Sequence, residues 1–190
     1  MTQEQVDKAG NAMIYIATHV PYTSKTKMLK LLFLIEEEVI KKSNLPFLGL
    51  PYYAWKRGPV QVDIYNDMVS PAHRYFGKYI DIQSQFVKSK SHSVILAKAD
   101  FCDDEFSDFE IDIMNDIIRK YKDWNTEELV DETHKSGSLW ADTIKQYNIT
   151  FDNSDKSDCL IDMTKLLDDQ GLSIYFDYLE ANQFAAHFHK

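Results

Sequence analysis

The chain has 190 residues, 44% hydrophobic and 13% aromatic, enough to bury a core of its own. Its formal charge of −9 sets most of the surface against phosphate backbones, so a basic partner is expected and direct nucleic-acid binding is not. No apolar run behind a positive segment opens the chain, and the apolar stretch 28–35 is broken by Lys30 and followed by glutamates; a membrane span is excluded and a cytoplasmic protein is expected.

Val6, Ala9, Met13, Ile16 and Ala17 recur at helical spacing and predict a first amphipathic helix over 4–18, stopped by Pro21. Thr23 or Ser24 can cap a second helix over 25–42, whose stripe of Met28, Leu31, Leu32, Ile35, Val39 and Ile40 is widened by Leu29, Phe33 and Leu34. So wide a face suggests a central helix. Residues 44–50 read as a loop and 51–55 as an extended segment rich in aromatics. Gly58-Pro59 then turns into a short helix over 60–68, with Pro59 near its first turn. Residues 80–99 change to alternation and predict a β-hairpin with a polar tip at 88–93. Ser107 with Glu110, and Asn125 with Glu128, are capping boxes for helices bearing Ile113, Met114, Ile117, Ile118 and Tyr121 and then running to about residue 135, where Gly137 ends the second. The stretch 148–170 is acidic with one short helical signal, and 172–188 reads as an aromatic helix. Together these predict a mainly α fold with a small β element, a compact single domain with a short antiparallel hairpin. We expect residues 1–147 to form the domain and 148–190 an acidic segment and helix packed on it or extending it.

Chemistry-bearing patterns are sparse. Cys102 and Cys159 are isolated and read as ordinary part-buried thiols. His187 and His189 are two apart near the chain end, a poor metal pair, and no metal or cofactor is expected. In 131–143, His134 near a helix end with Trp140 close behind reads either as a structural corner or as a catalytic base still lacking a partner. In the stretch PYYAWKRGPVQVDIY, residues 51–65, Gly58-Pro59 reads as a turn, Tyr53 and Trp55 as core anchors, and Lys56 and Arg57 as a displayed cationic patch suited to a partner. Truncating a buried Trp55 would then cost about 3–5 kcal/mol.

The runs KMLKLLFLIEEEVI, LPFLGLPYYAWKRGPVQVDIY and TEELVDETHKSGSLWADT, in that order over 25–143, resemble the Panacea domain family of SocA-like and phage-associated antitoxins. Lys27, Leu31, Leu32 and Phe33 match its helix. Phe47, Gly49, Tyr53, Ala54, Trp55, Gly58, Pro59, Val60 and Tyr65 match its loop, and Leu129, Thr133, His134 and Trp140 its closing motif. The chain departs at Ser138-Leu139, where many members carry proline, and at Val62 or Asp63. The resemblance implies a helical domain with a small β element and no enzymatic activity. It further implies the antitoxin of a toxin-antitoxin pair with a cognate toxin as partner, and we expect Lys56, Arg57, Gly58 and Pro59 to meet that partner. Some relatives act instead as adaptors that deliver a toxin to a AAA+ protease, and a hydrolase using His134 is the remaining alternative.

Overall fold

The structure is a computed structural model describing residues 1–87 and 90–188, with side chains described outside 85–92 and 182–188. Lys88 and Ser89 of the predicted tip, His189 and the His187 side chain lie outside the described residues.

Thr2 and Gln5 form a capping box that opens α1, Gln3–His19. Ser24 accepts the Lys27 N–H at 3.1 Å and opens α2, Lys25–Ser43, which Asn44 closes in the left-handed region at φ 60°. Every residue of α2 from 27 to 36 is buried, so the wide stripe is in fact a helix enclosed on all sides. It packs against α1, the later helices and the first sheet.

The segment after the loop is not a lone extended piece. Tyr52–Trp55 forms β1, and Gly58–Gln61 forms β2, antiparallel with Tyr52 opposite Gln61 and Trp55 opposite Gly58. The third helix, α3, therefore begins at Val62 rather than Val60 and ends at Val69, with Gln61 as its cap. Pro59 sits inside β2 and not in the first turn of a helix. The ladder explains why it is tolerated. Ala54 and Pro59 face each other with their backbone polar groups turned outward, so the missing proline N–H takes no bond from the hairpin.

The predicted β-hairpin is β3, Ile80–Val87, with β4, Lys90–Ala97, and it docks on α1. Both later capping boxes are present, opening α4, Asp108–Tyr121, and α5, Thr126–His134. A further helix, α6, Leu139–Tyr147, follows at once, capped by Ser138. It is absent from the sequence reading, which treats that stretch only as a corner. A 3₁₀ turn, Met163–Leu166, and α7, Asp169–Phe188, complete the described chain.

Two clusters make the interior. The larger joins α1, α2, α4 and the second hairpin. The smaller gathers Phe33, Tyr52, Ala54, Leu139 and Ile161 beneath β1. Among the described residues no helix is long and apolar enough to cross a membrane.

Candidate functional site

Lys56 and Arg57 form the turn between β1 and β2, and the positive φ falls on the next residue, Gly58, at 100°. A φ in that region suits glycine, the residue that closes this two-residue turn. Three helices converge on it. From α2, the buried Lys30 donates through Nζ to the Pro59 carbonyl at 2.7 Å. That carbonyl points away from β1 and would otherwise be a buried acceptor without a donor.

Burial first, and the nearby Arg57 charge second, pull the Lys30 ammonium down to about 7. From α5 comes Thr133, whose Oγ1 would lie 2.9 Å from a Cβ placed on Gly58, while Lys30 Cε and Nζ would lie at 2.7 and 2.8 Å. Only a residue without a side chain fits there. From α6, Trp140 donates its indole N–H to the Trp55 carbonyl at 2.8 Å and stacks flat on His134, with ring centroids 3.6 Å apart and planes 6° from parallel. Ser138 links the two helices by donating to the Thr133 carbonyl at 2.8 Å and capping α6.

His134 is half-buried, and burial, followed by the Lys30 charge, pulls its imidazole down to about 4. Its Nε2 is buried with no hydrogen-bond partner among the described residues, so no nucleophile or orienting carboxylate bonds it there. The geometry is that of an imidazole held as a neutral stacking plate.

The turn itself faces outward. Lys56 pairs with Asp155 at 2.9 Å and Arg57 with Glu127, with about half of each cationic side chain exposed. The displayed patch of the sequence reading is thus displayed but already ion-paired. Tyr53 and Trp55 do not provide the core anchor that the sequence suggests. Tyr52 and Ala54 occupy the buried face of β1, whereas Tyr53 and Trp55 are half-buried, with Trp55 edge-on to Tyr65 at 5.0 Å. Val60 is buried. The expected cost of Trp55→Ala drops accordingly, to about 2 kcal/mol, because only part of the ring leaves water on folding. A urea denaturation midpoint unchanged from that of the parent would show that the ring contributes nothing.

Lys30 is the residue the sequence reading passes over. There it serves only to interrupt an apolar run, and Lys27 carries the helix match; yet Lys27 reaches the Lys122 carbonyl, away from the turn. The signal was a lysine in the middle of the broadest apolar face of the chain, which a buried helix retains only if its head has a partner. Glu36, one of the glutamates after that run, is likewise buried, accepts the Phe47 and Leu48 N–H groups at 2.9 Å each and fixes the loop leading into β1. Burial pushes its carboxyl up to about 7 against those two bonds. Of the two thiols, Cys159 is part-buried, but Cys102 is exposed.

No curated protein and no solved structure matches this chain. The sequence profile described as "Antitoxin SocA-like, Panacea domain" matches residues 28–141. That span opens two residues before Lys30 and closes one residue after Trp140, so it encloses the residues through which three helices back the β1–β2 turn. Covering well over half of the sequence, the match shows that the chain belongs to the SocA-like antitoxin family, as a protein with a Panacea domain.

Proposed function

We propose that the chain is the antitoxin of a toxin-antitoxin pair and neutralises its toxin by direct contact through the exposed Lys56 and Arg57, with the buried Gly58 and Pro59 shaping the turn that presents them. The observation that carries this reading is the rigidly backed, outward-facing turn inside the family domain: α2, α5 and α6 hold its backbone while its two cations face solvent. The charge of −9 supports a toxin with basic surface, and such complementarity speeds association. Residues 1–147 would be the neutralising domain, and the protein would work in the cytoplasm without catalysis.

Co-expression with the product of the adjacent gene tests the reading. Growth is expected to be rescued with the toxin level unchanged; a toxin that vanishes only when a AAA+ protease is present would favour the adaptor role, and no rescue would sink both. Changing both Lys56 and Arg57 to Gln removes two exposed ion pairs, so stability is expected to shift by less than about 1 kcal/mol while toxin binding is lost. Binding retained with an intact melt would move the contact elsewhere on the surface.

A further inference from the structure

The outward turn of the backbone at the Ala54–Pro59 pair leaves the far edge of β1 with unpaired polar groups, the kind of edge that accepts another strand. Here the chain fills it with its own residues 155–161. Ala54 N–H donates to the Cys159 carbonyl at 3.0 Å, Lys56 N–H to the Asp155 carbonyl at 2.9 Å and Ile161 N–H to the Tyr52 carbonyl at 2.8 Å, with Leu160 bridged antiparallel to Tyr53. This strap lies beyond residue 141, outside the family match. Only Ile161 along it is buried, and Leu160 is 51% exposed.

The strap also places a cation. The Lys156 ammonium sits 4.7 Å from the Trp55 ring centroid and 5.6 Å from that of Tyr65, and it makes no ion pair among the described residues. Beside it is a groove of about 500 Å³ lined by Tyr53, Trp55, Gln61, Asp63, Lys156 and Asp158 among others. Gln61 is buried to 1% exposure, its Oε1 accepting the Ile64 N–H while its Nε2 has no partner among the described residues. Aromatic faces with carboxylates at the rim recognise an ammonium or guanidinium, and an edge strand recognises an extended backbone. The strap shows both kinds of contact made at once by one segment.

We propose that the β1 edge and the Trp55–Tyr65 groove form a docking surface for an extended segment of a partner protein that carries Lys or Arg at the position Lys156 takes in cis, and that residues 155–161 give way to it. The spare Gln61 amide then donates to a carbonyl of the incoming segment. The antitoxin reading enters only in naming that partner as the toxin; the surface itself is testable without it.

The probe is a labelled synthetic peptide of residues 152–162 with Ser in place of Cys159, offered to the full chain. In the chain the strap competes at high effective concentration, so it is weakened by Asp155→Lys with Ser157→Ala, which turns the ion pair to Lys56 into repulsion and removes the bond from Ser157 Oγ to the Ala54 carbonyl. The peptide is expected to bind this variant about tenfold or more tighter than the parent, and to lose most of that affinity when its lysine is Gln or when Trp55 of the variant is Leu. Equal affinity for variant and parent, or equal affinity of the Lys and Gln peptides, overturns the proposal.

Should the variant fail to fold by circular dichroism, hydrogen exchange on the parent decides. The Ala54 and Ile161 amides are expected to exchange at least about tenfold faster than those of α2, through local release of the strap. Protection equal to that of α2 overturns it. Peptide binding without rescue of toxin-treated cells would sink the antitoxin reading alone, and rescue without peptide binding would sink this inference alone.

Discussion

Gly58→Ala is expected to lower stability by about 3 kcal/mol or more. Gly58 combines a φ of 100°, a region costly to a residue with a side chain, with three heavy atoms of Lys30 and Thr133 inside 3.0 Å of the added methyl. Lys30 Nζ is the end of a long side chain, but it is fully buried, and moving it breaks its bond to the Pro59 carbonyl. Gly137→Ala separates the two causes, since Gly137 has φ 79° and nothing within 4 Å of an added Cβ. That control should lose only about 1 kcal/mol from backbone conformation, leaving the rest to packing. Equal urea midpoints for the two variants would mean that the close approach of Lys30 and Thr133 to Gly58 carries no energy. On the proposed antitoxin function, in which the turn bears the contact residues Lys56 and Arg57, toxin binding is expected to weaken in parallel with the lost stability.

Lys30→Ala is expected to cost about 3–5 kcal/mol, from a cavity in a fully buried site and a stranded Pro59 carbonyl. Lys30→Met keeps most of the volume and should cost about 1–3 kcal/mol, the penalty of the unpaired acceptor. The pH dependence distinguishes this from a packing effect. Lys30 has a folded pKa near 7, below its ordinary 10.5, so between those values the folded chain binds fewer protons at this site than the unfolded one. Its contribution to stability is therefore present above about 10.5 and is lost as pH falls through about 7. Relative to Lys30→Met, the parent should gain stability across that window. A parallel pH profile for the two would show that the lysine head is not desolvated as the structure has it.

Much of the architecture could be read locally. The capping boxes Ser107–Glu110 and Asn125–Glu128 are contacts between residues three apart, so the sequence itself contains both partners and α4 and α5 begin where the pattern says. The second hairpin shows its alternation openly. By contrast, α6 has only nine residues with Leu139 and Thr143 buried, too short a stripe to stand out from the corner around Gly137. Pro59 misled in the opposite way. Proline next to a helical pattern favours the first helical turn, but the same missing N–H suits an outward position in β2, and only the pairing with Ala54 decides between them.

The candidate site divides along the same line. By itself the sequence determined the family, because a match over residues 28–141 is carried by residue identity and order. Which side chain supports the turn was decided by tertiary structure alone. Lys30 meets the Pro59 carbonyl 29 positions away, Trp140 reaches the Trp55 carbonyl across 85, and Ser157 reaches that of Ala54 across 103. Separations of that size leave no periodic trace in a chain. They arise only when burial of α2 and closure of the small cluster beneath β1 bring the groups together, leaving each buried polar atom to find whichever partner the packing presents.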